Sequence, residues 1–375
     1  MAELDARLGW IARNMPLTRR QADALPRLSG VRLACSVHLE PKMVVAMEAI
    51  MDRGAAVFLT ACNPATTRNE VVERLASHGA RAHAWKDMAA GDAADAVRQA
   101  IGWKPTHLYE MGANISAALA AEPSAPKVTA AMEATGSGIS RLRGLEQAGS
   151  FPRYPIFDCD DVPIKEGLHN RYLVGQSAWQ AFTERTELSL HRKRVLVVGY
   201  GLVGQGVALT ARSLGGTVSV AERDPARALF ARYDGFPTPD LEAAVRESDV
   251  ICTATGARHV LAARHFPLLP DGCFLLNVGH TGDEIEVEAL GPRHVVVPFV
   301  EEAKANERTI YLFAGGSMAN LTAGQGDTLN SFDITMAAML AGLRYTFSSE
   351  AAGCAPGLHP LPRAAWEEVA RQALQ

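Results

Sequence analysis

The sequence predicts an α/β protein made of two Rossmann-like, doubly wound parallel-sheet domains with a cleft between them. Three observations predict it. Strand-sized apolar runs alternate with amphipathic helical stretches along most of the chain, the pattern of parallel sheets covered on both faces. A Pro- and Asp-rich stretch, 151–162, reads as a loop or crossing, and a second, more regular alternation begins at Arg194. The length, 375 residues, suits two domains of about 150 residues or slightly more.

The elements follow in order. Residues 31–37 read as a strand, 42–53 as its helix, 55–60 as the next strand and 68–78 as a helix, with further strands at 81–85 and 107–109. In the second alternation the strands are 194–198, 217–221, 250–253, 273–277 and 294–298, with helices between them that include 204–214 and 225–232. Residues 327–345 carry apolar side chains at helical spacing and predict a long helix. Gly and Pro in 348–359 predict a loop, and 364–374 a last short helix.

Composition narrows the function classes. Hydrophobic residues at 48% and charged residues at 21% are ordinary for a globular protein and exclude disorder as the dominant state. A net charge of −4, from 37 basic and 41 acidic residues, advertises no face for a polyanion, so no nucleic-acid partner is expected. Apolar runs stay far below the ~20 residues of a membrane span, so no membrane partner is expected. The N-terminus is charged and lacks the apolar core of a secretory signal. Cys35, Cys62, Cys159, Cys252, Cys273 and Cys354 form no CxxC pair and read as thiols of a reducing compartment, with no metal site. The expected location is the cytoplasm.

The strongest local signal is Arg194-Val-Leu-Val-Val-Gly199-Tyr-Gly201-Leu202-Val203-Gly204-Gln-Gly206. A lone GxGxxG is weak, but this one follows a buried-strand run and opens a helix. Gly199 permits the tight turn, Gly201 lets backbone approach a pyrophosphate, and Gly204 lets the helix pack against the sheet. Glu222 ends the next strand, where a carboxylate binds the adenosine-ribose hydroxyls and repels a 2′-phosphate. The expected cofactor is NAD, although Arg223 stands next to that carboxylate.

Around these residues the chain resembles the S-adenosylhomocysteine hydrolase (adenosylhomocysteinase) family over most of its length. Gly199 to Gly206 is similar to that family's GYGxVGxG, and Glu222-Arg-Asp-Pro225 to its ExDP. Thr253-Ala-Thr255-Gly256 and Asn277-Val-Gly-His280, followed by Asp283-Glu284-Ile285, resemble its TxTG and NxGHxxxEI. In the first half, His38-Leu-Glu40-Pro-Lys42 and Cys62-Asn-Pro-Ala-Thr-Thr67 resemble its HLEAK and NPxST segments, in the form of archaeal and some thermophilic bacterial members. Lys165 through Asn170-Arg-Tyr172 and Gly175-Gln-Ser177 resemble TKxxFDNRYGxGQS; Asn320-Leu-Thr-Ala-Gly324 and Gly357-Leu-His-Pro360 follow the same short-tailed subgroup.

The resemblance implies a mechanism and a set of site residues. Bound NAD oxidises a ribose 3′-hydroxyl, the ketone acidifies the 4′-proton, homocysteine leaves C5′, water adds, and the ketone is reduced again. Lys165 falls on the lysine that helps deprotonate the 3′-hydroxyl, Asn170 beside it, His38 on the histidine near C5′, and His280 on the histidine of the NxGH turn. Such a lysine acts as a base if its pKa is lowered. The cofactor residues implied are Gly199, Gly201, Leu202, Val203, Gly204, Glu222, Thr255, Gly256, Asn277, Thr135 and Asn320. The substrate residues implied are Glu40, Lys42, Thr67, Glu133 and Asp327. The domains implied are 1–172 for substrate, joined by the helix 327–345, and 185–325 for NAD, with 346–375 as a tail packed on a neighbouring subunit of a homodimer or homotetramer.

Several carboxylates depart from the family pattern. DDGGD is here Glu110-Met111-Gly-Ala-Asn114, so Met111 replaces a catalytic aspartate; EETTTG is Glu133-Ala134-Thr135-Gly-Ser-Gly138, so Ala134 replaces a ribose-binding glutamate. The aspartate of FDNRY is His169, which is either a new acid/base group of the catalytic set or a tolerated surface change, and the histidine of AxGHP is Asp327. A missing general base costs about 10²–10⁴ in rate. The first expectation is therefore an enzyme acting on a nucleoside thioether or related ribosyl compound, diverged from ordinary S-adenosylhomocysteine hydrolysis. A net dehydrogenase of another nucleoside, sugar or hydroxy acid, and a non-catalytic NAD-binding regulator, are the alternatives. Cys62, Cys159, Trp179, Trp366 and residues 336–343 read as structural.

Overall fold

The computed structural model describes residues 2–122, 126–280 and 282–375. Met1, where the reading of the N-terminus begins, and Thr281, inside the motif starting at Asn277, lie outside the described residues. The chain divides into one unit of Met1–Lys165 with Leu329–Gln375, and a second of Glu166–Thr328. The expected boundary near residue 172 thus falls at Lys165, and 166–172 belong with the cofactor motifs.

The first unit holds β1 (Arg32–Val37), β2 (Ala56–Ala61), β3 (Arg81–Ala82), β4 (His107–Glu110), β5 (Ala130–Glu133), β6 (Pro155–Asp158) and a C-terminal strand, Gly357–Pro360. Their order is C-terminal strand–β6–β5–β4–β1–β2–β3, and every pair is parallel. Five of the six residues of β1 are buried because helices cover both faces of a parallel sheet. Strand order reverses between β1 and β4, where Cys35 pairs with both Leu59 and Tyr109. Ligands of such sheets bind outside the carboxyl ends of the strands at this reversal.

Three strands differ from expectation. β6 lies inside 151–162: Pro155 is tolerated at a strand start, Ile156 and Phe157 are buried, and Asp158 Oδ1 accepts the Asp160 N–H (2.9 Å) to turn the chain out. β5 is alanine-rich, and the C-terminal strand forms inside the expected loop 348–359 by pairing with β6. The long helix begins at Leu329, not 327, and runs to Thr346. Its Met336, Met339, Leu340 and Leu343 pack with Tyr109, Met132 and Phe157. Gly342 allows the approach, since a Cβ there would stand 2.8 Å from Met132 Sδ. Asp333 on this helix accepts the N–H groups of Leu17 (2.9 Å) and Thr18 (2.7 Å), which caps the helix Pro16–Asp23. Residues 346–375, expected as a tail, are built into this unit: besides the strand, the helix Arg363–Ala373 places Val369 against Leu17, Ala337 and Ala341.

The second unit begins with a π-helical segment, Glu166–Leu173, continued by the helix Val174–Thr186. Its strands are β7 (Arg194–Val198), β8 (Thr217–Ala221), β9 (Val250–Thr253), β10 (Cys273–Asn277), β11 (Arg293–Val297), β12 (Val300–Ala305) and β13 (Arg308–Phe313), in the order β11–β12–β13–β10–β9–β7–β8. The sheet is parallel from β8 to β13, while β12 pairs antiparallel with β11 and β13. The expected strand 294–298 is the antiparallel edge strand β11. The helix Leu202–Ser213 crosses the start of Val174–Thr186 at close range. A Cβ on Gly206 would lie 2.0 Å from Arg171 O, and one on Gly175 2.6 Å from Gly206 O. Trp179 is fully buried here and donates to Val207 O (2.9 Å).

Candidate functional site

The glycine fingerprint forms the turn from β7 into the helix Leu202–Ser213. Gly199 has φ +97°, and a Cβ there would stand 2.7 Å from Ala254 O. A Cβ on Gly204 would meet Gly199 O at 2.1 Å, so this glycine holds helix to strand. Gly201 differs: the nearest atom to its Cβ position is Arg227 Nη1 at 3.9 Å. The space before Gly201 belongs to a cavity of about 1050 Å³, above the ~300–1000 Å³ of ordinary small-molecule pockets and fit for an extended dinucleotide. Leu202, Val203, Glu222, Thr255 and Asn170 also line it. Arg223, Arg227, Arg232, Arg258 and Arg264 give its wall a positive character suited to a pyrophosphate.

Glu222 is oriented by the backbone: Oε2 accepts the Tyr200 N–H (2.7 Å) and Oε1 the Asp224 N–H (2.8 Å). Thr255 and Gly256 are held by Glu284, which accepts both their N–H groups (2.9 and 2.7 Å) and the Thr255 hydroxyl (2.8 Å). Glu284 is fully buried, and that burial raises its pKa. Sequence reading quoted Glu284 in a motif without giving it a role; its signal was the acid just after the NxGH turn. A Cβ on Gly279 would stand 1.7 Å from the Glu284 carboxyl, so the two residues fix the turn together. Asn277 is buried in that turn and accepts from Gly279 N–H (2.7 Å) and the Thr253 hydroxyl (3.2 Å). His280 follows it, half-buried. These residues fit NAD: open backbone at Gly201, an oriented acid at Glu222 and a cationic wall.

In the first unit, His38 follows β1 at the strand-order reversal, and its Nδ1 lies 2.8 Å from Thr66 Oγ1. Glu40 caps the helix Pro41–Asp52 and pairs with Lys42 (3.1 Å), both buried. Thr67 is buried after the short turn Pro64–Thr66 that Asn63 caps. Met111 and Ala134 follow β4 and β5 and are 5% and 2% exposed. Glu133 faces inward: it accepts the N–H groups of Gly112 (3.0 Å), Ala113 (2.8 Å) and Thr135 (2.8 Å) and the Thr135 hydroxyl (2.7 Å). Burial, and then Glu110, raise Glu133 to about 8 despite these donors. Thr135, expected at the cofactor, caps the helix Gly136–Gln147.

Lys165 is buried, with Nζ against Asp160 Oδ1. Burial alone would lower its pKa, but Asp160 and Cys159 outweigh it and raise the ammonium above its ordinary value. The expectation of a lysine tuned downward is therefore corrected: Asp160 keeps Lys165 a cation. Cys159 is pushed up to about 12 and Cys62 is also raised, both chiefly by burial, which suits inert thiols. In the second unit, Asn170 lies on the π-helical segment and lines the cavity; next to it, His169 Nδ1 stands 2.6 Å from Asp327 Oδ2. Asp327 Oδ1 accepts the Ser177 hydroxyl (2.7 Å), and Asn320, expected at the cofactor, has Nδ2 3.4 Å from that oxygen. Among the described residues no cluster of His, Cys, Asp or Glu could hold a metal ion, and no helix is long and apolar enough to cross a membrane.

The fold and the fingerprint cavity define an NAD-binding α/β enzyme. Residues 12–120 match the family described as S-adenosyl-L-homocysteine hydrolase, and residues 170–326 match its NAD binding domain. The chain is 34% identical to an adenosylhomocysteinase of Thermococcus kodakarensis, over 98% of this chain and 89% of that one. It is 31% identical to an S-inosyl-L-homocysteine hydrolase of Methanopyrus kandleri, over 98% and 88%, and 31% identical to an adenosylhomocysteinase of Thermotoga maritima, over 99% and 94%. The chain belongs to the S-adenosyl-L-homocysteine hydrolase family, and its cofactor is NAD.

Proposed function

We propose that the protein acts on a nucleoside thioether, or a related ribosyl compound, through transient oxidation of the 3′-hydroxyl, and has diverged from ordinary S-adenosylhomocysteine hydrolysis. One contrast carries the reading: the residues around the cofactor cavity keep the family pattern, while buried Met111 and Ala134 stand where the family has carboxylates. The names of the relatives support a purine nucleoside joined to homocysteine, with adenine or hypoxanthine as base. When bound, NAD supplies a reversible acceptor for the two electrons of the ribosyl carbon.

The chain does the rest. Lys165, kept cationic by Asp160, binds the hydroxyl oxygen and stabilises negative charge developing there. Asn170 orients the same group. His38 moves a proton at the leaving thiol or the incoming water. The resemblance extends the reading to a homodimer or homotetramer, and the scattered cysteines extend it to the cytoplasm.

The test supplies purified holoenzyme with S-adenosylhomocysteine and S-inosylhomocysteine and follows thiol release and nicotinamide absorbance together. S-adenosylhomocysteine turnover is expected at least about 10²-fold below that of an ordinary family member. Lys165→Ala should keep NAD but lose nicotinamide reduction, whereas His38→Ala should permit reduction and stall afterwards. Ordinary turnover of S-adenosylhomocysteine overturns the divergence. Reduced cofactor accumulating without thiol supports the net dehydrogenase instead.

A further inference from the structure

The strand order of the second unit, β10–β9–β7–β8, tells the two halves of the dinucleotide apart. The glycine turn after β7 suits the pyrophosphate, and Glu222 at the end of β8 suits the adenosine ribose. The nicotinamide half therefore extends the other way, over the carboxyl ends of β9 and β10. Thr255, two residues beyond β9, lines the cavity on that side.

Beneath that side lies a carboxylate. Glu284 is fully buried and touches the loops after both strands. Its Oε1 accepts the Gly256 N–H (2.7 Å), and its Oε2 accepts the Thr255 N–H (2.9 Å) and the Thr255 hydroxyl (2.8 Å). That hydroxyl in turn accepts the Ala257 N–H (3.0 Å), so its own proton is committed to the carboxylate. From the other loop, Gly279 lies so close to the Glu284 carboxyl that no Cβ fits between them. All these donors are neutral. Among the described residues no ion pair includes Glu284, and Arg258 of the same loop pairs instead with Asp283 (2.8 Å). The charge is felt across β9: burial first, and then Glu284, raise the Cys252 thiol. Burial raises Glu284 itself, while its bonds to Thr255 and Gly256 pull it back down.

We propose that Glu284 is the positioning residue for the nicotinamide half of the cofactor, and that its negative charge biases the bound cofactor towards the oxidised form. Positioning works through Thr255 and Gly256, whose backbone and hydroxyl the carboxylate holds in one arrangement. The bias works through charge. A buried anion with neutral donors and no cation favours a positively charged ring over a neutral one, and a low-dielectric surrounding strengthens the attraction. The oxidised ring is a cation. Taking up hydride, one hydrogen with two electrons, makes it neutral and ends the attraction; giving the hydride back restores it. The resting protein would then hold the form able to accept hydride. The inference needs only the cofactor and not the proposed substrate.

The experiment uses the full chain, stripped of cofactor and reloaded. NADH affinity is read from its fluorescence. NAD and benzamide adenine dinucleotide, whose ring is planar like nicotinamide but uncharged, are measured by displacing NADH. Wild type should hold NAD about tenfold more tightly than the benzamide dinucleotide, the size of one charge–charge interaction at an effective dielectric constant of about 20. Glu284→Gln keeps the shape and removes the charge, so it should shift the ratio of NAD to NADH affinity about tenfold towards NADH. Glu284→Asp keeps the charge and shortens the reach, so it should weaken both forms and leave their ratio within about threefold of wild type. Equal losses for NAD and NADH in Glu284→Gln would make the carboxylate a packing element alone and overturn the bias. Should that variant not fold, the wild type decides: equal affinity for NAD and the benzamide dinucleotide overturns the proposal. No substrate enters these measurements, so a wrong substrate class leaves their result standing, and their failure leaves the proposed reaction untouched.

Discussion

Glu222 shows how much of the cofactor site one residue can set before any ligand arrives. Its two oxygens are already aimed by the N–H groups of Tyr200 and Asp224, so little ordering remains to be done on binding. A hydrogen bond to a charged group contributes about 1.5–3 kcal/mol, so Glu222→Ala should weaken NAD binding roughly 10- to 100-fold by calorimetry. The preference over NADP should shrink as well, because Arg223 and Arg227 line the same cavity and would then face a 2′-phosphate unopposed. Equal affinity of the wild type for both cofactors would refute the role. Glu222 and the glycines were legible in the sequence because each answers a local demand of backbone or ribose. Glu133, Lys165 and Asp327 were only half legible. Their motifs showed that they matter, but Glu133 is turned inward on backbone donors, Lys165 is held by Asp160, and Asp327 meets a histidine far away in sequence. Those outcomes depend on partners that no local pattern names.

At the scale of elements, the crossing of the helices Leu202–Ser213 and Val174–Thr186 is a tight constraint near the cavity. Gly206 leaves no room for a methyl beneath Arg171 O. Overpacking usually costs about 1–3 kcal/mol, and here it would push against the π-helical segment that carries His169 and Asn170. Gly206→Ala should therefore lower the melting temperature and also slow turnover beyond what that loss explains. Full activity in a destabilised protein would show that the crossing matters for packing alone. Strands β7 to β10 of the second unit were readable because each is a mostly buried apolar run set off by helical stretches; β11 was expected although it is exposed throughout, and β12 and β13, which carry Glu, Lys and Arg, were missed. β5, β6 and the C-terminal strand were missed for a physical reason. Each has four residues, bounded or filled by Ala, Pro, Gly or Asp, and each is a strand only because a neighbour pairs with it.

The molecule as a whole should show a pH-dependent stability governed by buried groups. Burial, then Glu110, raise Glu133 from 4.5 to about 8, while burial lowers His107 from 6.5 to about 4. Between about pH 4 and 6.5 the unfolded chain protonates His107 and the folded chain does not, so this group makes stability rise with pH. Glu133 acts oppositely, because the folded state keeps a proton that the unfolded state has lost. Above about pH 6.5 His107 is neutral in both states, and the raised carboxyls set the slope: Glu133, Asp158, raised by burial to about 7, and Glu110 and Glu284, which burial also raises. Stability should then fall from pH 6.5 to 8, by at most about 1.4 kcal/mol per pH unit for each such group. Urea midpoints across that range measure it. Glu133→Gln should flatten the slope whatever it does to the midpoint; an unchanged slope would assign the effect to other groups.

The division of the chain has a consequence for how the protein is born. The second unit is one continuous segment, Glu166–Thr328, interrupting the first. On the ribosome it can fold as soon as it emerges, whereas the first unit must wait for the helix Leu329–Thr346 and the strand Gly357–Pro360. At roughly 5–20 residues per second, that wait is on the order of 10–40 seconds. Meanwhile Tyr109, Met132 and Phe157 are synthesised without the methionines and leucines that cover them. The nascent first unit is thus a natural client for a holding chaperone, and a chain terminated just after residue 328 would carry a complete cofactor half beside a sheet that cannot close its core.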